Sequence, residues 1–319
     1  MIHVEPKDLS TRQAHWYLLG GVAPRPIALV STLSADGTPN LSPFSFFNAF
    51  GANPPTVAFS PSRRGRDGTT KDTYKNLVQT RECVIQAVTH SIVEQVNLAS
   101  TEYPSEFDEF VKSGLTPVKS DLVKPYRVQE SPFQMECRLT QMVELGTGPG
   151  SGNLAICEVV KFHIAEDIVR DGIIVPDLID LVGRNGGDYY TRASGHAVFA
   201  LAKPLGTPGM GFDRLPEYIL RSDILSANNL GQLAGAAAIP DHEESASFVS
   251  KCGASDPEEQ TFERLRRRHQ YEEMLSVALG FAARSHSKTR MYFEATAREA
   301  LENRDVSFAW HILVYASSL

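Results

Sequence analysis

The residues best suited to chemistry lie between Pro24 and Asn76. From Ser60 to Lys75 the chain carries Arg63, Arg64, Arg66, Lys71 and Lys75, interleaved with Gly65, Gly68 and several hydroxyls. Glycines let a backbone turn with its N–H groups converging, as an anion nest requires. Asp72 or Thr70 suits a helix N-cap, and Thr73 to Val78 suits a short helix. A helix N-terminus with Lys71 beside it and Thr73 in its first turn offers N–H groups, a hydroxyl and a full positive charge to a phosphate. The same composition also fits a solvated basic loop ahead of an ordinary helix.

The residues just upstream supply the other half of a site. Ile27 to Thr32 is apolar and β-branched, which predicts a buried strand, and Ala35-Asp36-Gly37-Thr38 predicts a hairpin turn. The return path, Leu41 to Phe50, alternates poorly, and Pro43 has no N–H to give to a ladder. That places the segment at a sheet edge or outside the sheet. Irregular backbone presents N–H and C=O groups to the edge of a heterocycle. Ser45 and Asn48 add polar side chains, and Phe46, Phe47 and Phe50 offer ring faces. Any single phenylalanine there also fits an ordinary core strand. Taken together, the stretch reads as a site for a flat aromatic cofactor that carries a phosphate.

Several motifs recur here in a specific order. Arg25-Pro26-Ile27-Ala28-Leu29-Val30-Ser31-Thr32 is followed by Ser42-Pro43-Phe44-Ser45-Phe46-Phe47-Asn48, by Pro54-Pro55 and Phe59-Ser60, and by Lys71-Asp72-Thr73-Tyr74-Lys75-Asn76. This set resembles the flavin reductase-like family of FMN-binding split β-barrel proteins, which includes flavoredoxin-like members. The resemblance spans residues 15 to 205. It implies a mainly β Greek-key split barrel with peripheral helices, forming a homodimer with FMN near the subunit interface. By that resemblance Ser60, Lys71 and Thr73 hold the phosphate, with Asp72 in the same cofactor-binding motif. Ser45, Phe46, Phe47 and Asn48 line the isoalloxazine. Gly186-Gly187 ahead of Tyr189-Tyr190 resembles the family's late loop, so Arg184 or Tyr190 would touch FMN or the nicotinamide donor. A tight turn with tyrosine at the rim of the core reads equally well there.

The implied function is FMN-dependent oxidoreduction, as an NAD(P)H:flavin reductase or a related electron-transfer activity. NADH or NADPH would be the donor, and a monooxygenase or another acceptor would take the electrons. The alternative is a flavin-binding electron carrier without NAD(P)H turnover. No catalytic side chain is assigned, because the flavin itself carries hydride chemistry.

The elements that must position these residues come from the rest of the chain. The 319 residues suffice for one large or two modest domains. A formal charge of −7 disfavours a nucleic-acid partner, so the basic cluster is local. The four cysteines have no CxxC spacing; Cys83, Cys137 and Cys157 sit in strand-like runs and read as buried free thiols, with no metal or disulfide framework. No signal core or membrane-spanning run is present, which makes the cytoplasm the default. Asp8 or Ser10 caps a first helix that Gly20-Gly21 breaks. Glu82 to Ala87, Phe133 to Leu145 and Asn153 to Ala165 are strand candidates, with Gly146 to Gly152 as a hairpin tip. Glu136 and Glu158 fall on their solvent face by alternation. Glu102, Glu106, Asp108 and Glu109 read as a solvated acidic face. From Gly206 the pattern turns helical, giving a barrel domain over 1–205 and a helical C-terminal extension over 206–319. Asp241 to Pro257 reads as an exposed loop within that extension.

Overall fold

The computed structural model describes residues 1–201 and 208–319. They fall into two compact units, Met1–Ala200 and Leu201–Leu319. The boundary expected at 205/206 falls on residues 202–207, outside the described residues.

In the first unit, helix α1 (Thr11–Gly21) opens with a capping box between Ser10 and Gln13. It runs through Gly20 and Gly21, which therefore end the helix and do not interrupt it. Seven strands follow: β1 (Ala28–Leu33), β2 (Pro39–Phe44), β3 (Phe47–Ala52), β4 (Pro55–Phe59), β5 (Glu82–Ala87), β6 (Phe133–Glu144) and β7 (Asn153–Ile164). They form one antiparallel sheet in the order β2-β1-β5-β6-β7-β4-β3. The two outermost strands, β2 and β3, are neighbours in sequence and only Ser45 and Phe46 separate them. The sheet therefore returns to its own start without pairing there, and this gap is the split of the barrel.

The turn at Asp36-Gly37 joins β1 to β2 with Leu33 opposite Pro39, and Gly37 takes φ +90°. Pro43 lies opposite Leu29 on an outer strand, where a missing N–H costs no ladder bond on the open side. Gly146 to Gly152 is the tip of the β6–β7 hairpin, with Glu144 opposite Asn153. Inside the barrel, Phe44, Phe59, Leu77, Ile85 and the buried free thiols of Cys83, Cys137 and Cys157 share one core.

Glu158 is exposed, but Glu136 is fully buried. Alternation does turn Glu136 away from the barrel interior, yet the 121–123 segment covers that face. The carboxylate accepts N–H bonds from Asp121 (2.8 Å), Leu122 (2.6 Å) and Val123 (3.1 Å), and His163 Nε2 lies 2.6 Å away. A carboxylate oxygen pair accepts about four bonds, so this one is filled and works as a clasp for a polar turn.

The second unit is helical: α2 (Ala227–Ala234), α3 (His242–Ser250), α4 (Glu259–Arg266), α5 (Tyr271–Ala283), α6 (Thr289–Glu302) and α7 (Val306–Ala316). Its core gathers Leu233, Met274, Phe293, Trp310 and Leu313, and the Trp310 indole N–H donates to the Leu233 carbonyl at 3.1 Å. Helix α3 occupies 242–250 of the loop expected over 241–257, and residues 251–257 stay outside any helix or strand. An Asp241–Glu244 capping box starts it, and Ser245 and Val249 provide its short buried stripe. No helix among the described residues is long and apolar enough to cross a membrane.

Candidate functional site

The expected cofactor residues fall at two places along the split. The first is the N-terminus of the nine-residue helix Asp72–Thr80. Lys71 occupies its N-cap position, and no side chain caps the helix. Tyr74 and Lys75 N–H groups bond to the Lys71 carbonyl, while the N–H groups of Asp72 and Thr73 have no acceptor among the described residues.

Ion pairing separates the five nearby cations. Arg63 pairs with Glu144, Arg64 with Glu102 and Asp72, Arg66 with Asp67 and Glu102, and Lys75 with Asp72. The half-buried Lys71 ammonium has no ion pair or hydrogen bond among the described residues and sits 5.3 Å from the centre of the Phe44 ring. Burial pulls it below the usual lysine range, Glu102 works against this, and the Arg64 charge adds to it. A desolvated cation beside an uncapped helix N-terminus is an environment that a bound anion relieves.

The side chains of Asp72 and Thr73 are both engaged within the chain. The Asp72 carboxylate is taken by Lys75 at 2.9 Å and Arg64 at 3.8 Å, while its main-chain N–H has no acceptor among the described residues. Thr73 is 1% exposed, and its hydroxyl donates inward to Asn40 Oδ1 at 2.8 Å. Ser60 continues from β4. Its N–H donates to the Phe46 carbonyl at 2.9 Å, and its hydroxyl lies 3.0 Å from that of Ser62 and accepts from Asn153 N–H at 3.2 Å. Two buried polar atoms in this neighbourhood, Arg63 Nε and Asn153 Oδ1, lack a partner among the described residues.

The second place is the crossing segment between β2 and β3. Ser45 and Phe46 are half-buried. The Ser45 hydroxyl accepts a long bond (3.4 Å) from Arg25 Nε, and the Arg25 guanidinium lies 6.0 Å from the Phe46 ring. His15 meets the same ring edge-on at 6.2 Å. Phe47 lies opposite Phe59 and touches the barrel core. Asn48 is exposed and its amide oxygen caps Ala49 N–H locally. Arg184 and Tyr190 join this end through a three-stranded sheet made of Arg25–Pro26, Val182–Arg184 and Tyr190–Arg192. The Arg184 guanidinium stacks 4.5 Å from the Tyr190 ring.

Three residues outside the expected set organise these parts. Arg25, 4% exposed, donates to the carbonyls of Leu19 (2.7 Å), Val22 and Asn185 (3.0 Å), so it ties α1 and the 185–189 turn to the crossing segment. An arginine at the head of an otherwise apolar strand is its sequence signal. Asn40 and Glu109 lie behind Thr73 and carry no local signal, because their partners are far away along the chain.

The Flavin reductase like domain model matches residues 20–180. An uncharacterized protein of Halalkalibacterium halodurans is 35% identical over 203 residues, which is 63% of this chain and 96% of its own. Among solved structures, nitrilotriacetate monooxygenase component B from Bacillus cereus is 30% identical with a TM-score of 0.59, over 63% of this chain and 98% of its own. A protein with a split-barrel domain from Shewanella frigidimarina is 26% identical with a TM-score of 0.54, over 63% of this chain and 100% of its own. Sequence motif, sheet order and these likenesses agree, and the chain belongs to the flavin reductase-like family.

Proposed function

We propose that the protein is an FMN-dependent oxidoreductase that takes reducing equivalents from NADH or NADPH. One observation supports the choice of a phosphorylated flavin: among the described residues Lys71 is the cation of the cluster without an ion pair, and it stands at a helix N-terminus that no side chain caps. In this reading Lys71 and the N–H groups of Asp72 and Thr73 hold the phosphate, together with Ser60. The Ser45–Phe46 crossing segment and the flanking Phe47 and Asn48 line the ring, fixed from behind by Arg25. Arg184 and Tyr190 border the ring or the nicotinamide. When bound, the flavin supplies the hydride-accepting chemistry, and the chain binds and orients it.

The match to a monooxygenase component supports delivery of reduced flavin to a monooxygenase or a similar acceptor. A second copy of the chain is the expected partner at the flavin. Helix α1 buries no residue while exposing Trp16, Tyr17 and Leu18, and the outer strand β3 exposes Phe50. Apolar surface of that kind is usually covered in an assembly. The expected compartment is the cytoplasm.

The test is the visible spectrum of the protein with FMN and with riboflavin, followed by anaerobic addition of each pyridine nucleotide. Tight FMN binding with bleaching by one nucleotide supports the reading and names the donor. FMN that binds and stays oxidised means a flavin carrier without NAD(P)H turnover. Failure to bind FMN overturns the proposal.

A further inference from the structure

Thr73 is the first residue of the Asp72–Thr80 helix whose side chain turns fully inward, and its hydroxyl proton is committed to Asn40 Oδ1. The same oxygen also accepts from the Thr32 hydroxyl at 3.3 Å, and Thr32 accepts from Asn76 Nδ2 at 3.0 Å. Asn40 thus fastens the first turn of the helix to the barrel wall, and Thr32 beside it fastens the second. It can present its oxygen to Thr73 only while its nitrogen points the other way. Glu109 fixes that choice: Asn40 Nδ2 donates to Glu109 Oε1 at 3.2 Å, and Leu41 N–H donates to Glu109 Oε2 at 3.0 Å.

Glu109 is 8% exposed and has no cationic partner among the described residues. Burial pushes its carboxyl up, against the Leu41 N–H and the Asn40 amide, which favour the charged form. A buried acid balanced only by neutral donors adds little stability for its desolvation cost. Such a group is explained by what it orients. Here the oriented object is the helix start whose N–H groups and lysine face outward.

The geometry points to Glu109 as a positioning residue for the anion-binding end of the Asp72–Thr80 helix, acting through Asn40 and Thr73. It rests on the phosphate site proposed above and changes the expected part of Thr73. The hydroxyl anchors the helix, and the phosphate is met by main-chain N–H groups and Lys71.

Riboflavin lacks the phosphate and shares the ring, so the ratio of its affinity to that of FMN isolates this end of the site. Glu109→Gln keeps the size and removes the charge. It is expected to weaken FMN binding about tenfold and to leave riboflavin binding unchanged. Thr73→Val keeps the shape and should do the same, while Thr73→Ser restores the hydroxyl and the FMN preference. Equal loss for both flavins, or no loss for either, would overturn the role of Glu109. If Glu109→Gln fails to fold, the Thr73→Val and Thr73→Ser pair decides alone: equal FMN preference in the two overturns the inference. A wild-type protein without preference for FMN over riboflavin removes the phosphate site itself, and the inference falls with it. A protein that binds FMN preferentially but ignores Glu109 leaves the proposed function standing and removes only the relay.

Discussion

Lys71 differs from its basic neighbours in what surrounds it. Arg63, Arg64, Arg66 and Lys75 are paired with carboxylates in the same loop or on adjoining segments, and the exposed pairs of Arg66 and Lys75 add little to stability. Replacing Lys71 by Ala is expected to weaken FMN about 10- to 100-fold, the range for one charge-assisted contact. Lys75→Ala, by equilibrium titration in parallel, should change FMN affinity less than about threefold. Equal effects would remove the distinction drawn between them. Glu136 makes a different kind of prediction. Burial alone would raise its carboxyl, but the Asp121, Leu122 and Val123 N–H groups and His163 hold it below the usual glutamate range. A depressed acid stabilises the fold above its unfolded value, and that contribution fades as pH falls through the folded value. Glu136→Ala should cost about 3 kcal/mol at pH 7 by urea unfolding, because three amides lose their acceptor, and the gap from wild type should narrow on acidification. At this scale the sequence made Lys71 visible and hid Glu109. A lysine beside a helix start is a local pattern, whereas Glu109 acts on Asn40 and Leu41 across a separation of nearly seventy residues.

The elements show the same division. The Ile27 to Thr32 strand, the Asp36-Gly37 turn and the Gly146 to Gly152 hairpin tip were legible because β-branched runs and turn residues encode them within a few positions. Helix α3 was not, since only two of its nine residues are buried and its polar composition resembles a loop. Its capping box was the available signal. The buried side of Glu136 was also hidden: alternation says which face a residue takes and not whether another segment covers that face. Gly280 in helix α5 gives an element-scale prediction whose sign separates two effects. Helix propensity alone makes Gly→Ala stabilising by about 1 kcal/mol. A Cβ at this position would lie 2.0 Å from the Ser255 carbonyl oxygen, on a segment held by the Ser255 N–H to Ser276 carbonyl bond of 2.9 Å. Gly280→Ala is therefore expected to destabilise the helical unit by about 2–3 kcal/mol, read as a lower melting temperature. A rise in melting temperature would show that the 255–257 segment yields freely.

For the whole molecule, the apolar cores decide what must stay together. The buried clusters of the barrel draw on residues up to Val182, and the helical cluster begins at Met210. Every residue proposed above to bind flavin lies in the first unit, so a chain ending at Ala200 is expected to bind FMN within about twofold of the full chain. A larger loss would assign part of the site to residues 201–319. Exposed apolar groups bear on assembly in the same way. Trp16 is 54% exposed and Phe50 68%, and neither belongs to a core of the described residues. If a second copy covers them, Trp16→Glu and Phe50→Glu each place a charge in an apolar contact, which costs several kcal/mol unless it is paired. Light scattering should then show the mass of two chains for the wild type and of one chain for the double variant. FMN affinity should fall together with the dimer, because the flavin is proposed to lie where a second copy joins the chain. A double variant that is monomeric and still binds FMN fully would confine the site to one chain. A wild type that is monomeric would leave α1 and β3 exposed for a partner other than a second copy.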